Sequence, residues 1–252
     1  MNIGISKTLK EEIINKIFKK CGKKTIKAIV LFGSRARGDF NDDSDYDINV
    51  FTKRKIVDDT LSDFKHEIHV DFIDNKRFSE FKKFGHPFLH CCFRDGIPLF
   101  ERKNWFCKNK KIILKITPSS KIVESYFSYA LNNLLGSLSR IKSRNKRYLI
   151  EDGKITANQT GFGIMMLNKK FPLSPHTLSK ELVYMDKNMS CLANSISYLQ
   201  RKYYLDEQLK MPSYVKNLRV LESHITTILK SNFPELYNQI NELKKIYSYK
   251  SS

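Results

Sequence analysis

Gly33-Ser34-Arg35-Ala36-Arg37-Gly38 and, after a polar turn, Ser44-Asp45-Tyr46-Asp47-Ile48-Asn49-Val50 are the stretch on which the fold is decided. The run Thr25 to Phe32 before it is short, apolar and β-branched, bounded by Lys24 and Gly33, and so predicts a buried strand. A glycine-bearing turn directly after a strand can bring backbone amides against phosphate oxygens. Gly33 and Gly38 permit close approach, Ser34 adds a hydroxyl, and Arg35 and Arg37 supply positive charge for a triphosphate. Glycine in such a turn can also be purely steric, so the turn gains its weight from Asp45-Tyr46-Asp47 beyond it.

Asp45 to Phe51 is the next strand, with Tyr46, Ile48 and Val50 on one face and Asp45, Asp47 and Asn49 on the other. Two carboxylates at i and i+2 of a strand point the same way, about 6 to 7 Å apart along the backbone, and repel each other unless a cation lies between them. A solvated acidic edge is the competing explanation for the whole run Asp39, Asp42, Asp43, Asp45 and Asp47, but it does not require strict strand alternation beside apolar Tyr46, Ile48 and Val50. Glu67 to Ile73 repeats the pattern, with Ile68, Val70 and Phe72 opposite His69 and Asp71.

Working outward, residues 8 to 20 predict an amphipathic helix: Thr8 and Glu11 have capping-box spacing, Leu9, Ile13, Ile14, Ile17 and Phe18 share a face, and Gly22 ends it. Helices are expected at 75–84 and 86–94, the second stopped by Asp95-Gly96, and a strand at Ile97 to Phe100. The lysine-rich stretch from Arg102 to Ser120 is expected as the passage to a second domain. Beyond it strand signals vanish and helices are expected at about 121–149, 155–169, 177–204, 214–230 and 235–248, with Pro172, Pro175, Pro212 and Pro234 at boundaries. The fold class is α+β: a small mixed-sheet domain over 1–118, then an all-α helical bundle over 119–252.

Gly33-Ser34-Arg35-Ala36-Arg37-Gly38 followed by Ser44-Asp45-Tyr46-Asp47-Ile48-Asn49-Val50 resembles the DNA polymerase beta-like nucleotidyltransferase superfamily, especially its minimal and aminoglycoside-type bacterial branches. The likeness covers about residues 25 to 101. It implies metal-dependent transfer of an NMP from an NTP to an acceptor hydroxyl, with release of pyrophosphate. It further implies Asp45 and Asp47 as ligands of two Mg²⁺ ions, with Mn²⁺ as substitute, and Asp71 as the third ligand and proton acceptor. Gly33, Ser34, Arg35 and Arg37 would bind the nucleotide, ATP being the expected one. The helical half resembles the HEPN or substrate-binding bundles of single-chain relatives and would serve as a substrate clamp. Asn49 stands where many relatives carry an aliphatic residue.

Composition bears on the acceptor. With 45 Lys and Arg against 26 Asp and Glu the net charge is +19, and an anionic partner is expected. Both halves are basic, 25 against 16 in residues 1–118 and 20 against 10 in residues 119–252, whereas a pocket for polycationic aminoglycosides would want surplus carboxylates. RNA, tRNA for instance, is therefore the expected acceptor, with antibiotic adenylylation and modification of a protein as the alternatives. Arg140, Arg144 and Arg147 are expected on one helix face as an acceptor-binding patch, with Tyr126, Tyr129 and Tyr148 for stacking. A solvated basic face is the competing explanation.

Two other groupings are chance-level patterns. His86, His90, Cys91, Cys92 and Cys107 suggest zinc, yet adjacent cysteines on a helix cannot easily reach one ion. Arg219 and His224 have the spacing of HEPN ribonucleases but lack the polar residue after the arginine. Five cysteines without a CxxC, an N-terminus rich in charge and no apolar run of membrane-spanning length predict a protein of the reducing cytosol that does not engage a membrane.

Overall fold

Strand alternation organises the first half of the chain. The computed structural model describes residues 4–42, 44–56, 67–141, 146–200, 209–239 and 241. It divides into two units, Met1–Pro118 and Ser119–Ser252. In the first, β1 (Ile26–Phe32), β2 (Tyr46–Thr52), β3 (Ile68–Ile73) and β4 (Ile97–Glu101) form one mixed sheet in the order β3-β2-β1-β4. β1 runs antiparallel to β2 and β4, and β2 runs parallel to β3. The register places Phe32 opposite Asp47 and Val30 opposite Asn49, then Asp47 opposite His69 and Asn49 opposite Asp71.

One face of the sheet buries Ile29, Leu31, Tyr46, Ile48 and Val50 beneath α1 (Lys7–Cys21). Leu9, Ile13, Ile17 and Cys21 recur every fourth residue along the buried side of that helix, as the sequence predicts. Its cap differs from expectation: Ser6, not Thr8, accepts the Leu9 amide at 3.2 Å, because the helix begins at Lys7. The other face carries Ala28, Val30, Phe51 and Ile73, covered by α3 (Asn75–Phe84), α4 (Pro87–Asp95) and α5 (Trp105–Ile113). Between β1 and β2 lies the five-residue α2 (Gly33–Arg37). The apolar cover is built around Phe51, Phe93 and Phe106, the last two stacked at 4.6 Å, so the same sheet face is left for polar groups near α2.

The helix α5 overturns the expectation of a passage over 102–120. Phe106 and Ile113 are buried and Trp105 packs 5.0 Å from Phe51. Burying those two side chains stabilises by about 3–6 kcal/mol, against a few tenths for each like-charge lysine pair. Composition therefore misled, because the lysines occupy the outer face.

The second unit is a helical bundle: α6 (Ser120–Ser139), α7 (Arg147–Leu167), α8 (Leu178–Met185), a 3₁₀ turn at Lys187–Met189, α9 (Ser190–Gln200) and α10 (Met211–Asn232). The single helix expected over 121–149 is two. Apolar spacing lapses after Leu138 and Ile141, α6 ends at Ser139 and α7 starts at Arg147, with residues 142–145 outside the described residues. α7, expected only over 155–169, starts at Arg147 although Gly153, Gly161 and Gly163 each cost a helix about 1 kcal/mol. Tertiary packing compensates: the absence of a Cβ at Gly153 lets the Tyr214 hydroxyl reach the Leu149 carbonyl at 2.7 Å, and Gly163 accommodates the Phe127 ring. The helix expected over 177–204 breaks at Asp186, whose carboxylate caps the Asn188 amide at 2.9 Å. Of the helix expected at 235–248, residues 234–239 and 241 are helical and the rest, like 201–204, lies outside the described residues.

Candidate active site

Asp47 sits on β2 where the strand face passes from apolar cover to open polar groups. Strand alternation, enforced by burial of Tyr46 and Ile48 beneath α1, aims it away from that core. Its carboxyl is pushed up to about 6, first by burial and then by the charge of Asp45, with His69 and Arg37 pulling the other way. Asp45, just before the strand, lies 3.3 Å from His69 Nε2, which is also 3.5 Å from Glu67. Two carboxylates thus share one face at the mouth of the sheet at an electrostatic cost that a cation would relieve.

The Gly33 turn meets this pair directly. Gly33 has φ +74°, open to glycine, and a Cβ there would collide with Asp47 Oδ2. α2 then closes on Gly38, also left-handed, whose amide returns to the Ser34 carbonyl at 2.9 Å. The two arginines of the turn differ in what they hold. Arg35 donates to the Ser44 carbonyl from Nε at 3.1 Å and Nη2 at 2.7 Å, and to the Asp42 carbonyl at 3.3 Å. Its guanidinium also stacks on Phe40 and Tyr46 at 4.7 and 4.2 Å. Ser44 in turn closes on Asn41 through its hydroxyl. Arg35 therefore braces the loop that delivers Asp45, and Arg37, paired with Asp39 at 3.2 Å, is the cation whose charge reaches Asp47.

Asp71 lies on β3 beside Asn49, two residues beyond the Asp47–His69 pair. Its Oδ1 is held by Arg77 Nη1 at 2.5 Å. The sequence passes over Arg77 because nothing in its spacing marks it; it enters through the α3 cap, where Asp74 accepts the Arg77 amide at 2.8 Å. Asn49 is fully buried, donates to Cys92 Sγ at 3.2 Å, and leaves Oδ1 without a partner among the described residues.

A divalent cation fits Asp45 and Asp47, whose paired anionic oxygens are the donors hard cations prefer, and it would relieve the cost that burial first and the Asp45 charge second place on the Asp47 carboxylate. Asp71 is nearby in register but engaged by Arg77, and among the described residues no group of three or more His, Cys, Asp and Glu is gathered to hold a metal.

The remaining candidates do not assemble. His86 caps α4 through Nδ1, accepting the Phe88 amide at 3.2 Å, and stacks on Phe81 at 4.2 Å. Cys92 is buried against Asn49, and Cys107 donates to Glu101. Arg140 and Arg147 are not on one helix face as expected: Arg140 caps the end of α6 and pairs with Asp152, whereas Arg147 opens α7 and pairs with Glu151 at 3.1 Å. Arg144 lies outside the described residues. Arg219 pairs with Glu222 at 2.5 Å, and His224, five residues along α10 and so well round the helix, has its pKa lowered by burial.

Residues 12–104 match the family model Polymerase beta, Nucleotidyltransferase. No curated protein sequence matches the chain. Among solved structures, a nucleotidyltransferase-like protein from Exiguobacterium sibiricum is similar at 13% identity and TM-score 0.47, covering 92% of this chain and 80% of that one. The spectinomycin adenyltransferase AAD(9) from Enterococcus faecialis, solved with ATP and spectinomycin, is similar at 13% identity and TM-score 0.45, covering 85% of this chain and 98% of that one. No described helix is long and apolar enough to cross a membrane. With the family match spanning β1 to β4 and the Gly33 turn set against Asp47, the first unit is a polymerase beta-type nucleotidyltransferase domain, and its enzyme class is nucleotidyltransferase.

Proposed function

We propose that the chain transfers an NMP from an NTP, ATP first among them, to a hydroxyl of an RNA acceptor. The observation that carries the reaction is the contact of Gly33 with Asp47: a phosphate-accommodating turn and a carboxylate pair meet at one point. The backbone at Gly33 and Ser34 would take the triphosphate oxygens, and the Arg37 charge would offset negative charge gathering on departing pyrophosphate. Asp45 and Asp47 would hold Mg²⁺, which when bound supplies charge neutralisation at the phosphates and at the attacking hydroxyl. Asp71 would accept the proton of that hydroxyl as its oxygen bonds to the α-phosphorus and the bond to pyrophosphate breaks.

Support for an anionic acceptor is the net charge of +19, spread over both halves of the chain. The pairing of Arg140 with Asp152 and of Arg147 with Glu151 removes those two residues as the obvious patch, so the attraction for an anion belongs to the basic surface as a whole. The test is incubation with α-labelled ATP, CTP, GTP or UTP and Mg²⁺ in the presence of total RNA, spectinomycin and other aminoglycosides, or cell protein. Labelled RNA is expected, with the logarithm of its affinity falling linearly in log salt with a slope of about −0.7 per phosphate contacted on a single strand. Label on an aminoglycoside or on protein alone would overturn the RNA acceptor while keeping the reaction.

A further inference from the structure

Three described contacts restrain the Arg77 guanidinium. Nη1 donates to Asp71 Oδ1 at 2.5 Å and to the Phe72 carbonyl at 3.3 Å. Its central carbon lies 5.1 Å from the centre of the Phe81 ring, and that ring is backed by His86 stacked at 4.2 Å. The main chain at Arg77 is fixed as well, because Asp74 caps α3 through the Arg77 amide at 2.8 Å. Exposed ion pairs are weak chiefly because two long side chains must be immobilised to form them. Here the Phe72 carbonyl and the Phe81 ring hold the half-exposed cation from its other sides, so its effect falls on the carboxylate, which sits on β3 with its side chain 38% exposed.

We infer that Arg77 is a positioning residue for Asp71 in nucleotidyl transfer, an inference that rests on the function proposed above. A carboxylate has two oxygens, and a guanidinium that holds Oδ1 fixes the side-chain torsions and leaves Oδ2 as the reactive one. In the reaction the acceptor O–H bond breaks with its proton passing to Asp71 Oδ2, the acceptor oxygen bonds to the α-phosphorus, and the bond to the leaving pyrophosphate breaks with its electron pair. Arg77 touches neither substrate nor reacting atoms; it sets where that oxygen is. A displacement of about 1 Å in such a group can cost about 100-fold in rate.

The test compares full-length wild type, Arg77→Ala, Arg77→Lys and Asp71→Ala. In metal-free protein labelled with ¹⁵N-arginine, the Arg77 guanidinium N–H signals should be resolved by slowed rotation in wild type and collapse in Asp71→Ala; signals indifferent to Asp71→Ala would overturn the clamp. In transfer from α-labelled ATP to total RNA with Mg²⁺, Arg77→Ala should lower kcat by about 10- to 100-fold with KM for ATP within about twofold. Arg77→Lys should recover part of that loss, and millimolar guanidinium should partly rescue Arg77→Ala but not Asp71→Ala. A normal melting temperature accompanies these results if positioning is the role. Wild-type kcat in Arg77→Ala, a raised kcat that would make Arg77 a gate, or loss of kcat only with loss of fold and no guanidinium rescue would each overturn the inference alone. Absence of transfer by wild type to RNA, aminoglycoside or protein would instead remove the reaction beneath it, with the clamp signals still standing.

Discussion

Gly33 and Asp47 occupy each other's space: at Gly33, φ +74°, a Cβ would collide with Asp47 Oδ2 and come within 3.2 Å of its Cγ. The turn and the carboxylate are therefore one unit, since the glycine exists to let the Asp47 side chain lie against the backbone that would cradle phosphate. Gly33→Ala should act in two ways. A left-handed non-glycine costs about 1–3 kcal/mol, seen as a lower melting temperature. The carboxylate must also rotate away, so kcat should fall more than stability does, by about 100-fold or more. A variant that melts lower yet turns over at wild-type rate would show that Asp47 tolerates the displacement and does not act from this position.

Asp47 gives a pH-dependent prediction. Its folded pKa is raised to about 6 by burial and by Asp45, so between pH 4 and 6 the unfolded chain loses this proton first. The group penalises the native state increasingly as pH rises through that window, and fully above it. In chelator-treated protein, Asp47→Asn should match wild type near pH 4 and be more stable at pH 7, by about 1–2 kcal/mol after allowance for partial solvent screening. Transfer should be abolished in that variant and in Asp45→Asn. Thermal melts across pH with EDTA, and turnover at saturating Mg²⁺, read the two effects; a variant less stable than wild type at pH 7 would contradict the cost of burying the Asp47 charge, and a tenth or more of wild-type turnover would contradict the ligand assignment.

Arg35 and Arg37 should separate cleanly although they stand two residues apart. Arg35→Ala removes charge-assisted bonds to the Ser44 and Asp42 carbonyls and the stack on Tyr46, a loss of about 2–3 kcal/mol. Lysine cannot restore it, because one ammonium lacks the planar fork that serves Nε and Nη2 together. Arg37→Ala breaks, among the described residues, the pair with Asp39, worth at most about 1 kcal/mol at the surface, yet it withdraws positive charge from the phosphate side. The expected outcome is a lowered melting temperature for Arg35→Ala, and an unchanged one with raised KM for ATP or lowered kcat for Arg37→Ala. If the two phenotypes were exchanged, Arg37 would be the brace and Arg35 the phosphate cation.

Period-2 alternation made the sheet of the first unit legible in the sequence, because burial of Ile48 and Val50 on one face leaves Asp47 no choice of side. The helices failed where composition and packing disagreed. Lysines concealed α5, whose buried Phe106 and Ile113 decide its place, and glycines concealed the start of α7, where small residues serve close packing with Phe127 and Tyr214. In the candidate site, residues placed by strand geometry were readable and the one placed through a helix cap was not. Asp45 and Asp47 announce themselves by spacing, whereas Arg77 reaches Asp71 only because Asp74 starts α3 three residues before it. His69 was visible on the right face, but its approach to Asp45 depends on the parallel register of β2 with β3, which sequence does not specify.

Asn49 supplies the last prediction. It is fully buried in the row that begins with Asp45 and Asp47, its amide donates to the Cys92 sulfur at 3.2 Å, and its Oδ1 has no partner among the described residues. A sulfur is a weak acceptor, so little is gained there, and the orphaned oxygen costs about 1–3 kcal/mol of desolvation. Asn49→Leu removes both polar atoms, keeps a side chain of comparable length, and faces Val30 and the apolar cover beneath α4. It should be at least as stable as wild type and up to about 2 kcal/mol more so, in contrast to most core substitutions. Cys92, with a thiol pushed up to about 12 chiefly by burial, should stay unreactive toward thiol reagents in the folded variant. Asn49→Asp should do the reverse, since it buries a third carboxylate two residues from Asp47, and its destabilisation should shrink as pH falls and the new group is protonated. Urea titrations of the three proteins at pH 5 and pH 7 decide the matter; a clear loss of stability in Asn49→Leu would mean that its Oδ1 is satisfied in solution by a bound water or cation.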